Sequence, residues 1–139
     1  MENQSFGEKL KHTAKKTIKI IFITAVLLGL ITFSFLYWGS YSSGVRSGVV
    51  VKVSKKGFLF KTYEGQLNLE TFGAVKGSNV INQTFDFSVD TGNDEIFNEL
   101  EQVSLSGEHI NLHYVERYVR FFWRGDTKYF VTQVERSKH

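Results

Sequence analysis

The chain contains no cysteine. That removes disulfides, thiolate chemistry, zinc–thiolate sites and a lipid-modified cysteine from consideration. There is also no glycine-rich phosphate loop and no recognisable Ser/His/Asp grouping, so triad and phosphate-cradling chemistries lack the residues they need. Charge of one sign is missing too. The formal net charge of the 139 residues is +3, but from Gly39 onward twelve Lys/Arg are balanced by twelve Asp/Glu. The excess belongs to residues 1–19, where Lys9, Lys11, Lys15, Lys16 and Lys19 stand against Glu2 and Glu8. A basic tail of this kind does not make a nucleic-acid-binding domain, and no nucleic acid is expected as a partner.

What is present is one long apolar run. The nineteen residues Ile20–Trp38 carry no charge, amide or proline. As a helix they cover about 29 Å, close to the hydrocarbon thickness of a bilayer. Thr24, Thr32 and Ser34 can return their hydroxyls to the helix backbone, which lipid tolerates. Tyr37 and Trp38 at one end and Lys19 at the other suit the two headgroup layers. A buried core helix would show a polar face, and none is visible. The lysines flanking the run predict a cytoplasmic N-terminus, with the C-terminal part across the bacterial inner membrane in the periplasm. The run is longer than a signal-peptide core and ends in Phe35-Leu-Tyr-Trp38 rather than in small residues, so an uncleaved anchor is expected.

The 101 residues after Trp38 suffice for one domain with a core of its own. Residues 39–45, small and polar with two glycines, read as a linker, leaving 46–139 as the folded domain. Val49, Val51 and Val53 mark one face of a first strand, and Ser54-Lys-Lys-Gly57 a hairpin turn. A long second strand then runs from Phe58 to Leu69. Its apolar phase shifts between Phe58/Phe60 and Tyr63/Leu67/Leu69, which predicts a bulge or a sharp bend near Gly65. Thr71–Gln83 reads as loop; it ends on a weak glycosylation tripeptide at Asn82. Phe85, Phe87 and Val89 alternate as a third strand. Thr91–Asp94 has the spacing of a helix start, and Ile96, Phe97, Leu100 and Val103 line one face of the helix that follows. Ile110–Tyr114 and Lys128–Glu135 supply the fourth and fifth strands, with Val119–Trp123 extended between them as another strand or an ordered loop. Five strands with a helix between the third and fourth is the order of a small OB-like barrel.

Candidate chemistry is sparse. His109 and His113 are four apart on a strand, roughly 13 Å, too far to share one ion. Nine acids against Lys76 alone lie between Glu64 and Glu108, which reads as a solvated surface or an acidic flank. No catalytic residue, cofactor site or metal site is assigned, and the chain is expected not to be an enzyme. One segment stands out, with Arg117, Tyr118, Arg120, Phe122, Trp123 and Arg124 as candidate partner-binding residues. Arginines interleaved with aromatics are what interfaces concentrate, and on OB folds the loop between the last strands commonly contacts ligand. The structural alternative packs Tyr118 and Phe122 inward while the arginines reach outward.

The stretch from Ser43 to Leu67, with its Val49-Val-Val-Lys-Val53 and Lys55-Lys-Gly-Phe-Leu-Phe-Lys61 segments, carries a resemblance together with Phe122-Trp-Arg-Gly-Asp-Thr-Lys-Tyr-Phe-Val131. It resembles a family of short bacterial single-span membrane proteins that often circulate under the name 6-phosphogluconate dehydrogenase. The resemblance implies a bacterial membrane protein and supplies no catalytic residues. The enzyme label does not carry over, because a nucleotide-dependent dehydrogenase needs a βαβ unit with a Gly-x-Gly-x-x-Gly turn, which this sequence lacks. The expectation is therefore a membrane-anchored, non-enzymatic binding or scaffolding domain of the cell envelope, serving membrane or envelope protein partners as an accessory subunit. The competing expectation is a module that stacks an oligosaccharide or nucleic acid on its aromatics.

Overall fold

The computed structural model of the chain describes residues 2–69 and 83–137. Helix α1 (Glu2–Trp38) is followed by β1 (Ser40–Lys56), β2 (Thr62–Leu69), β3 (Gln83–Val89), α2 (Asp94–Ser106), β4 (His109–Arg117) and β5 (Tyr129–Arg136). α1 forms one compact unit and the residues from Gly39 onward another. The expected loop at 71–82 and the tripeptide beginning at Asn82 lie outside the described residues.

α1 is long and apolar enough to cross a membrane. The basic tail is not separate from it; the helix runs unbroken from Glu2 through the apolar run. Thr24 Oγ1 donates to the Ile20 carbonyl and Thr32 Oγ1 to the Leu28 carbonyl, each at 2.9 Å. Both hydroxyls are thereby satisfied within the helix, which lowers the cost of placing them in lipid.

The second unit is a mainly-β, five-stranded sheet with one helix. Its strand order is β1-β2-β3-β5-β4, and β1 also pairs with β4, so each strand has two neighbours. All pairs are antiparallel except β3–β5, which meet in parallel at Ser88↔Phe130. β1 serves two partners because it is long. Ser40 to Val49 pair with β4, and Gly48 to Lys56 pair with β2. Gly48 belongs to both ladders, and a β-carbon there would collide with the Asn68 carbonyl. The core is filled by Val50, Leu67, Phe87, Val89, Ile110 and Leu112, with Leu100 and Val103 of α2 closing it. Burying side chains of this size contributes roughly 1.5–3 kcal/mol each.

α2 buries Phe97, Leu100 and Val103 on the face that the spacing predicts. Asp94 and Glu95 occupy its first turn, where the helix dipole favours negative charge. Gly107, at φ 70°, ends it with its N–H on the Val103 carbonyl at 3.0 Å. The helix is tied to β2 by the Tyr63 hydroxyl, which donates to Asp94 Oδ1 at 2.7 Å. That bond holds the Tyr63 phenol above its ordinary pKa, with partial desolvation adding in the same direction.

Several sequence expectations need correction. Residues 39–45 are not a tether, since β1 begins at Ser40 and its small polar residues find their hydrogen bonds in β4. Gly44 lies under the Tyr114 ring, where a β-carbon would sit 2.8 Å from the phenol oxygen. In the valine run Val49, Val51 and Val53 do not share one face, since Val50 is buried, Val51 is exposed and Val53 packs against the core again. The bulge falls on β1, between Val50 and Lys52, and not at Gly65. Gly65 is small for another reason, because the Phe87 ring occupies the space of a β-carbon. Phe58 and Phe60 lie outside the second strand, on the exposed 57–61 connection, which removes the apparent phase shift. Of the two readings open for Val119–Trp123, a strand or an ordered loop, the structure shows the loop, without strand pairing.

Candidate binding site

The 118–128 connection holds most of the candidate residues, and its backbone decides which way each one points. Arg117 still belongs to β4, half-buried, with its N–H on the Lys128 carbonyl at 2.8 Å. The chain then turns back on itself, with the Arg124 and Gly125 N–H groups both donating to the Phe121 carbonyl, at 3.0 and 3.2 Å. Tyr118 is partly exposed and meets the Tyr41 ring edge-on at 5.7 Å. Arg120 is exposed and donates to the Asp126 carbonyl at 3.1 Å. Phe122 is 69% exposed, edge-on to Trp123 at 5.0 Å and to Phe60 at 6.1 Å. Trp123 is half-buried against Phe121, their rings 4.8 Å apart.

Arg124 faces the other way. Its Nε and Nη2 donate to the two carboxylate oxygens of Asp90 at 2.7 and 3.2 Å, and its guanidinium lies 5.0 Å from the Phe130 ring centre. With its side chain only 10% exposed, Arg124 is an anchor for the loop and not part of its outer face. A bidentate pair fixes geometry as well as charge. The three arginines therefore do not converge on one ligand. The packing alternative is corrected as well, because Phe122 points to solvent.

A buried polar cluster explains why this loop is ordered. Thr62, Glu64 and Ser88 are buried although they alternate with core residues on β2 and β3. One Glu64 oxygen accepts from the Ser88 hydroxyl at 2.6 Å and the other from the Asp126 N–H at 2.9 Å. Ser88 Oγ also meets Thr127 Oγ1 at 2.8 Å and accepts from the Thr127 N–H at 3.2 Å. Gly125 passes so close that a β-carbon would come 2.7 Å from that of Ser88. A buried carboxylate is tolerated when hydrogen bonds replace its water. Here the loop itself supplies them. The same geometry leaves the Ser88 hydroxyl enclosed and committed, which suits a structural role. Alternation places Glu64 and Ser88 on the polar face, but nothing in the sequence signals that a loop 62 residues from Glu64 and 39 from Ser88 covers them.

Beside this cluster lies a groove of about 310 Å³ lined by Lys52, Ser54, Lys56, Gln66, Asp86 and Asp126, among others. Its charges are already partly matched. Lys56 Nζ lies 3.5 Å from Asp126 Oδ2, and Gln66 Nε2 donates to Asp86 Oδ1 at 2.9 Å. The groove offers both donors and acceptors, so it suits a neutral polar ligand better than a strongly charged one. It was not foreseen, because its residues come from three strands and a loop. His109 and His113 lie on β4, and His113 Nε2 is 3.3 Å from Glu135 Oε2. Among the described residues no group of three or more His, Asp or Glu side chains is arranged to hold a metal ion.

Residues 39–138 match a family described as a domain of unknown function, DUF8785. The chain belongs to the DUF8785 family. No curated protein and no solved structure matches it. The DUF8785 region begins at the residue after α1, so it takes in all of β1, both exposed loops, the buried Glu64–Ser88 cluster and the groove.

Proposed function

We propose that this protein is a membrane-anchored, non-enzymatic binding or scaffolding domain of the bacterial cell envelope, acting as an accessory subunit beside membrane or envelope protein partners. In this reading the bilayer is entered through Ile20–Trp38, with residues 1–19 cytoplasmic, and the sheet works as an OB-like barrel in the periplasm of an inner-membrane protein. The lysines before the apolar run support the orientation. The strand order, the helix between β3 and β4 and the ring of pairings support the OB-like reading.

One observation carries the binding role. The 118–128 loop is locked to the sheet by Arg124–Asp90 and by the Glu64 cluster, yet it holds Arg120 and Phe122 out in solvent. An ordered loop that spends its anchoring on exposing an aromatic and an arginine is preorganised for docking, since little side-chain or loop entropy remains to be lost on binding. On an OB-like fold this loop and the 57–61 hairpin flank the usual ligand face, and here they meet at Phe60 and Phe122. The polar groove between β1, β2 and β3 favours a second reading, an envelope oligosaccharide held along it by hydrogen bonds to its mixed donors and acceptors.

The test is purification of the full chain in mild detergent, wild type against Arg120→Ala with Phe122→Ala. The double variant should keep its circular dichroism and lose stoichiometric protein partners, with binding weakened by about 2 kcal/mol or more. A double variant that keeps every partner overturns the assignment of this face. A lone monomer that retains a glycan supports the second reading instead.

A further inference from the structure

Three large apolar side chains in a row form the tip of the β1–β2 hairpin. Phe58, Leu59 and Phe60 are 96%, 83% and 55% exposed. Hairpin tips in water ordinarily carry small or polar turn residues, and a run of apolar side chains in solvent is what soluble surfaces avoid. The tip is held in a defined turn, because Gly57 at φ 108° brings its backbone so close to the Phe60 carbonyl that no β-carbon fits. Lysines bracket it on both sides, in the order Lys55-Lys-Gly-Phe-Leu-Phe-Lys61.

The tip continues into a longer aromatic stripe. Phe60 meets Phe122, and four residues earlier in the same loop Tyr118 meets Tyr41, near the start of β1. Four residues reach at most about 14 Å, whereas a straight strand of the length of β1 would cover about 56 Å. The bend in β1 therefore brings the start of the strand and the hairpin tip onto one exposed stripe.

We infer that the Phe58–Phe60 tip inserts into the headgroup layer of an anionic bilayer, with Phe58 and Leu59 reaching the acyl boundary and Lys61 on a lipid phosphate, while Lys55 stays over the Tyr63 and Phe97 rings, 4.9 Å from each centre. The composition distinguishes this occupant from a protein. Protein interfaces enrich phenylalanine along with the other aromatics and arginine, so the discriminating feature is lysine, which they deplete at their centre and which flanks aromatic and aliphatic tips at the bilayer interface. The chain also carries its own span, which ties the tip near lipid at high effective concentration. The inference goes beyond the partner-binding reading and does not depend on it. A tip held in lipid would orient the 118–128 loop toward partners that sit in the same membrane.

The absence of cysteine makes the test direct. A spin label on Leu59→Cys, and as reference on Ser106→Cys, is read in the full chain reconstituted in nanodiscs. The discs contain phosphatidylcholine alone, or phosphatidylcholine and phosphatidylglycerol in equal parts. In the anionic discs the label at 59 should be shielded from a water-soluble nickel chelate and accessible to oxygen, while the label at 106 stays aqueous. Lys61→Gln should lower the inserted-to-free ratio about five-fold. Phe58→Ser with Phe60→Ser should abolish insertion while leaving the circular dichroism unchanged, because neither ring is in the core. A label at 59 as nickel-accessible as the one at 106 in anionic discs overturns the inference. Equal shielding in lipid-free detergent, with spin–spin coupling, overturns it in favour of a second copy of the chain. Pure protein is used throughout, so failure here leaves the partner experiment untouched.

Discussion

Arg124 and Phe122 are two residues apart in one loop, yet Arg124 is held by both oxygens of Asp90 while Phe122 stands in solvent. Their stability effects should differ accordingly. Arg124→Leu leaves the Asp90 carboxylate without its partner and should cost about 2–3 kcal/mol. That is below the usual loss for a fully buried pair, because Asp90 keeps a third of its exposure. Phe122→Ala should stay within about 0.5 kcal/mol of wild type. Denaturation of the full chain in detergent, followed by near-ultraviolet circular dichroism, checks both, and equal losses would mean that the loop packs as a whole. The interleaving of arginine and aromatics was legible in the sequence. Which arginine turns inward was not, because Asp90 lies 34 residues away and no local pattern selects it over any other acid.

β1 is the element that most changes the picture. A stretch such as Gly39-Ser-Tyr-Ser-Ser-Gly44 has the composition of a tether, and strand propensity is weak enough for pairing to override it. Ser40 through Val45 pair with Arg117 through His113, so a fragment beginning at residue 46 would leave that half of the β4 edge unpaired. Residues 39–139 expressed alone should give a soluble, mainly-β spectrum with one short helix. Residues 46–139 should aggregate or lose the cooperative thermal transition. Sedimentation and thermal circular dichroism of the two fragments decide the matter, and equal behaviour would show that the first half of β1 is dispensable. The strands with clean alternation, Phe85–Val89 and Ile110–Leu112, were legible, as was the buried face of α2. The bulge escaped detection because five consecutive β-region residues admit either phase.

On the scale of the whole molecule the chain divides at Trp38 into a membrane-competent helix and a folded unit. The lysine asymmetry predicts that Cys at Ser5 is protected from an impermeant thiol reagent in intact cells. Cys at Ser106 should react once the outer barrier is opened. The reverse labelling would invert the topology, and a mature chain that starts beyond Trp38 would mean that the apolar run is removed.

By itself the sequence determined the division of the chain, because nineteen residues without a charge make a helix long and apolar enough to cross a membrane. It also determined the order of strands and helix, since period 2 and period 3.6 are local properties of the backbone. Only the tertiary structure decided which polar residues are buried, which arginine is an anchor, and that the 57–61 and 118–128 loops meet at Phe60 and Phe122. Those outcomes rest on contacts between residues tens of positions apart. Such contacts are selected by packing and hydrogen-bond satisfaction across the closed set of strand pairings, and no stretch of sequence encodes them alone.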